Sequence, residues 1–208
     1  MPEISLTDFV DFVIKAGSPK LTKVRQLVNR PGYSPALDFW KSLREHFPEV
    51  HGGKVTLDSI LERVDAKKRK RYESAIIGYK PFLRKHSAAP YFGPPSEKWT
   101  SSGLTVRVNP ELGLLIGEER YVIKLYFKDE EPTRHRLDAV LELMRISLTK
   151  GSFLDIKVAV LDVANGKLIT ARKENPDFQH LLAGEAASFV AMWAAMGGKR
   201  NVVTKASA

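Results

Sequence analysis

At 208 residues and 43% hydrophobic side chains, the chain has enough apolar surface to bury a core without covalent staples. It contains no cysteine, which excludes disulfides, thiolate metal sites and a cysteine nucleophile and sets the expectation of a cytoplasmic protein. The formal net charge of +9 is uneven: residues 51–100 hold eleven basic and five acidic side chains, against seven and six in 1–50, eight and eight in 101–150, and seven and five in 151–208. A local excess of this kind points to a polyanion more strongly than a high isoelectric point does, because only a local field neutralises several phosphates at once.

In the opening MPEISLTDFVDFVIKAG, acids interrupt the apolar residues, so neither a signal peptide nor a spanning helix is expected, and no membrane partner. The spacing predicts a first helix with Ser5 as N-cap and Asp8 three residues on, burying Leu6, Phe9, Val10 and Val13 and stopped by Gly17. Ser18-Pro19 and Ser34-Pro35 read as a capping hydroxyl followed by a first-turn proline, opening two more helices with stripes Leu21, Val24, Leu27, Val28 and Leu37, Trp40, Leu43, Phe47. A fourth helix carries Leu57, Ile60, Leu61 and Val64 and leads into the basic run Lys67 to Arg71. The fifth, through Tyr72, Ile76, Tyr79 and Leu83, is expected to bend or break at Gly78 and Pro81.

Residues 88–103, rich in proline and glycine, read as a linker between a helical half, 1–87, and an α/β half, 104–198. Turn signals at NPELG and GEER divide Leu104 to Lys128 into a three-strand antiparallel meander. Pro132-Thr133 opens a helix with Leu137, Val140, Leu141, Met144 and Leu148 on one face and Arg134, Asp138, Glu142 and Arg145 on the other. Phe153 to Val163 reads as a strand covered on both faces, Asn165-Gly166 as a hairpin turn with KLITA as its return arm, and Asn175-Pro176 as the start of a last helix ending at Gly197-Gly198. Residues 199–208 read as a tail. The expected fold is therefore α+β: an N-terminal bundle of about five helices packed on a C-terminal mixed sheet of order βββαββα.

That order from Leu104 onward resembles the core of the PD-(D/E)XK nuclease superfamily, where an acid on the second strand and an acid-x-lysine on the third hold a divalent metal and activate water. Pro110-Glu111 stands at the proline-acid position, but in Val122-Ile123-Lys124-Leu125-Tyr126, Lys124 stands where the second acid belongs and Tyr126 where the lysine belongs. The resemblance thus implies the fold more than the hydrolysis. The wording of NPELGLLIGEERYVIKLYFK also resembles a family of uncharacterised bacterial proteins.

Three function classes follow. The leading one is a non-catalytic protein binding nucleic-acid backbone independently of sequence, an accessory of a bacterial DNA-processing or defence system, through Lys67, Lys68, Arg69, Lys70 and Arg71 together with Lys124, Lys128 and Arg134. It needs no cofactor and no metal, and it requires both basic sets to share a surface. The second is a nuclease with displaced carboxylates, Glu111 with Asp155 and Lys157, using Mg or Mn. The third is an interaction module docking an acidic protein partner or a second copy of itself. Five scattered histidines give no metal-ligand spacing, and GxSxG, phosphate-loop and GxGxxG motifs are absent.

Overall fold

The computed structural model describes residues 1–30, 35–62, 64, 66–128, 130–171 and 176–197, and for 35–42, 66–68, 71 and 176 the course of the backbone. The Ser34 cap, the Leu37 and Trp40 side chains, Asn175 and the tail lie outside the described residues. The helices are α1 (Leu6–Val13), α2 (Ser18–Val28), α3 (Pro35–His51), α4 (Leu57–Glu62), α5 (Ala66–Lys85), α6 (Arg134–Leu148) and α7 (Pro176–Ala195). The strands are β1 (Glu3–Ser5), β2 (Tyr91–Phe92), β3 (Glu97–Ser101), β4 (Leu104–Val108), β5 (Leu112–Ile116), β6 (Glu119–Tyr126), β7 (Lys157–Asp162) and β8 (Lys167–Thr170).

Local signals place several of these directly. Ser5 caps α1 and its hydroxyl accepts from the Asp8 amide at 3.1 Å. Asn165-Gly166 turns β7 into antiparallel β8, with Gly166 at φ +59 where an L side chain would be strained. The cap of α2 differs from expectation: Gly17, at φ +58, is the N-cap, and Ser18 already lies inside the first turn.

The strands form two sheets, β1-β4-β3 and β2-β5-β6-β7-β8. The expected three-strand meander is therefore split. β5 and β6 pair antiparallel as expected, but β4 leaves them to pair parallel with β1 and antiparallel with β3. Asn109-Pro110 explains the break, since a proline has no N–H to carry a ladder onward. The segment read as a linker is also structured: it supplies β2 to one sheet and β3 to the other, and Ser102 (φ +49) with Gly103 (φ +84) makes the two-residue β3–β4 hairpin turn.

The helices are interspersed around the sheets, which corrects the picture of an N-terminal bundle laid on a C-terminal sheet. One core packs α1, α2, α6 and α7 against β4 and the face of β6 and β7 that carries Val122, Val158 and Val160. The other packs residues of α3, α4 and α5, among them Phe47, Ile60, Tyr72, Ile76 and Tyr79, against Leu112, Leu114, Ile123, Leu125, Ala159 and Leu161. The physical reason is in β6 and β7 themselves. Joined in parallel through α6, they are apolar on both faces, so both faces must be covered.

Candidate functional site

The basic run begins α5, which continues without interruption to Lys85. Its apolar side, Tyr72, Ile76, Tyr79 and Phe82, is buried, and Arg69, Lys70, Lys80, Arg84 and Lys85 are exposed. Gly78 does not break the helix. It is where α5 crosses the β7–β8 turn, and a Cβ there would lie 2.6 Å from the Ala164 carbonyl oxygen and closer still to that of Val163. Pro81 is tolerated because it and Ile77, whose carbonyl it leaves without an intrahelical donor, are both on the exposed side. The side chains of Lys67, Lys68 and Arg71 lie outside the described residues. Arg69 lies 3.5 Å from Glu73 in an exposed ion pair.

Lys124 is not part of an exposed basic face, contrary to expectation. It is 8% exposed, and its ammonium donates to the Asn109 carbonyl at 3.0 Å and to the Glu111 carboxylate. Glu111 also accepts from the Leu125 amide at 2.9 Å and lies 3.2 Å from Arg44 Nε. Burial lowers the pKa of Lys124, with Glu111 opposing that shift and Arg44 adding to it. Val122, Lys124 and Tyr126 alternate onto the α1 and α6 side of β6, whereas Ile123 and Leu125 face the layer that contains α5. The sheet thus separates the basic end of α5 from Lys124, and the two predicted halves of one patch do not share a surface. Lys128, half-buried, pairs with Asp11 at 3.2 Å, and exposed Arg134 with Asp138 at 3.8 Å.

The displaced-carboxylate set does not assemble either. Asp155 is exposed and pairs with Arg120 at 3.3 Å, and Lys157 pairs with Glu119. Lys157 is in register with Tyr121, four residues of β6 from the Leu125 amide that Glu111 holds. At about 3.3 Å per residue that is roughly 13 Å along the strand. Among the described residues, no group of three or more His, Asp or Glu is arranged to hold a metal ion.

The structure instead assembles a charged cluster at the carboxyl end of β6 that the sequence reading missed. Asp8 on α1 receives both guanidinium nitrogens of Arg30, at 2.9 and 2.7 Å, and the ammonium of Lys23 at 3.0 Å. Asp11, one turn on, takes Lys23 at 3.3 Å, Lys128 at 3.2 Å and Arg136 at 2.8 Å. Burial works to raise both carboxyls, but these cations outweigh it, and Asp8 is held down at about 2. Arg136, 6% exposed, also lies 5.8 Å from the centre of the Tyr126 ring. Glu142, placed on the polar face of its helix by the spacing, is buried beside Arg145 at 2.7 Å. The only signal in the sequence was the Asp8, Asp11 spacing on one helix face. Nothing local marked Lys23, Arg30 or Arg136 as their partners.

Compared with known proteins, the chain matches no family model, no curated protein and no solved structure. Among the described residues, no helix is long and apolar enough to cross a membrane.

Proposed function

We propose that this chain binds nucleic-acid backbone without cleaving it, and that α5 makes the contact. The observation that carries this is the exposed side of one unbroken helix. α5 contains eight basic residues and one acid, and Arg69, Lys70, Lys80, Arg84 and Lys85 all reach solvent. From Arg69 to Lys85 that ridge runs about 24 Å at about 1.5 Å per residue, long enough to follow several consecutive phosphates. The shared surface expected from the sequence does not form, so the reading rests on α5 alone: Lys124 and Lys128 pair with Glu111 and Asp11, and their place is taken by Arg84, Lys85 and Lys80, the last in an exposed pair with Asp58 at 3.7 Å. The Glu111 carboxylate, facing an ammonium and a guanidinium, is a poor ligand for a hard divalent cation, which favours binding over hydrolysis.

The test is fluorescence anisotropy with labelled duplex and single-stranded oligonucleotides at about 50 mM salt, where phosphate contacts are strongest. Binding should be insensitive to sequence and weaken steeply with salt. Reversing Arg69, Lys70, Arg84 and Lys85 to Glu should abolish it, and Lys128→Gln should not change it. Undetectable binding by the unaltered chain would remove the reading. Plasmid cleavage with Mg or Mn that is lost in Glu111→Ala would replace it with the nuclease.

A further inference from the structure

The charged cluster at the end of β6 borders a cavity of about 300 Å3 that backbone binding by α5 leaves unused. It lies at the carboxyl end of the parallel pair β6 and β7, where ligands collect in open α/β sheets. Its volume is at the small end of ligand pockets, the size of a single substituted ring. Part of its wall is apolar, from Leu6, Val10, Val140 and Val160.

The polar part of the wall is biased toward one sign. Arg44, Lys124, Lys128 and Arg136 line it, against the carboxylates of Asp8 and Asp11. The lining cations are paired too, Lys124 and Arg44 with Glu111, Lys128 and Arg136 with Asp11, but with Lys23 and Arg30 behind the wall the cluster holds six cations against the three carboxylates of Asp8, Asp11 and Glu111. The first turn of α1, Ser5 to Thr7, faces the same space, and a helix start favours negative charge. Tyr126 also lines the cavity, and its hydroxyl is buried just behind that wall without a hydrogen-bond partner among the described residues. Burial raises its pKa, with Arg136 opposing and Glu130, Asp162 and Asp11 adding, so the phenol keeps its proton and offers a donor. A buried donor without an acceptor is unfavourable, and a ligand oxygen would satisfy it.

We propose that this cavity binds a small amphipathic oxyanion, a carboxylate or phosphate monoester on a ring-sized apolar body. Its oxygens take the Tyr126 hydroxyl and the Lys128 ammonium, and its apolar part rests on Val140 and Val160. The site is independent of α5, which packs on the other side of the sheet.

The experiment uses the full chain with benzoate, phenyl phosphate and the neutral benzyl alcohol, read by thermal melting and by amide chemical shifts. One or both anions should raise the melting temperature with increasing concentration and shift amides in residues 5–11 and 124–128, and which anion does so identifies the head group. Benzyl alcohol should do neither. Tyr126→Phe, which removes only an unpartnered hydroxyl, should weaken binding about tenfold, and Lys128→Gln similarly. Val140→Phe fills the cavity and should abolish binding, which keeps the test decisive if either polar variant folds poorly. Reversing Arg69 and Lys70 should leave it intact, so that failure here is distinct from failure of nucleic-acid binding. Absence of any shift with both anions, equal shifts with benzyl alcohol, or binding indifferent to both Tyr126→Phe and Val140→Phe would overturn the proposal.

Discussion

Lys124 and Glu111 form a buried ion pair across the β5–β6 hairpin, closed by the Asn109 carbonyl on one side and the Leu125 amide on the other. These contacts join the start of β5 to the last residues of β6, and Arg44 of α3 adds a third element at 3.2 Å from Glu111. The pair fixes the chain where β4 departs for the other sheet.

Removing one partner should cost far more than removing a surface charge. Glu111→Gln leaves a buried ammonium without its carboxylate, and urea unfolding at pH 7 should show a loss of about 3 kcal/mol. Burial already depresses Lys124, so its folded pKa lies below its unfolded one in the variant. Such a group binds fewer protons folded than unfolded, and stability rises with pH. The deficit should therefore shrink between pH 7 and pH 10; a deficit that stays flat would show the pair is not the cause.

Asp8 sets part of the acid limit. Its folded pKa is about 2 against an ordinary 3.8, so its contribution is complete above the ordinary value and disappears as pH falls toward 2. At about 1.4 kcal/mol per unit this is about 2 kcal/mol. Asp8→Asn should be less stable than the unaltered chain at pH 7 by a similar amount, and the two acid unfolding curves should converge near pH 2.

His51 acts in a higher window. It packs edge-on against Tyr79, with both ring nitrogens buried and without hydrogen-bond partners among the described residues. Burial, and secondarily His86, lowers its pKa from 6.5 to about 4. The unfolded chain therefore takes up a proton between those values that the folded chain refuses, and stability falls as pH drops from 6.5 to about 4. Allowing for partial solvent access, the loss is about 2 kcal/mol. In His51→Leu the slope of stability against pH over that interval should flatten, and a proton NMR titration of the unaltered chain should show the His51 ring titrating well below 6.5.

Gly78 and Gly184 should respond oppositely to alanine. Both are helical, and alanine in a helix interior is better than glycine by about 1 kcal/mol. At Gly184 nothing lies within 4 Å of the added carbon, so that gain should appear in the melting curve. At Gly78 the methyl group meets two backbone carbonyls of the β7–β8 turn that cannot rotate away. The helix must shift, and Gly78→Ala should be destabilised by about 2 kcal/mol.

These residues also show how far the sequence could be read. Ser5 with Asp8, Asn165-Gly166, the stripe of α6 and the βββαββα order are all local: a cap, a turn or a periodicity is set by neighbours a few positions apart. They were legible for that reason. The parallel pairing of Glu3–Ser5 with β4 joins segments about a hundred residues apart and leaves no local trace, so the meander looked complete without it. Gly78 and Pro81 were read as helix breakers because propensity sees a missing side chain and a missing N–H, while the close approach of the β7–β8 turn that uses the glycine is visible only in three dimensions.

For the candidate site the division is sharper. The sequence determined that the chain would bury a core without disulfides, where its helices and the strands from Leu104 onward would form, and that cationic charge would concentrate at the start of α5. Only the tertiary structure decided that Lys124 would turn inward onto Glu111, that Asp8 and Asp11 would gather cations from α2, α6 and the end of β6, and that a sheet would lie between them and α5. Alternation along a strand specifies that Lys124 and Leu125 face opposite ways, but which face is covered, and by what charge, depends on contacts made across the whole chain.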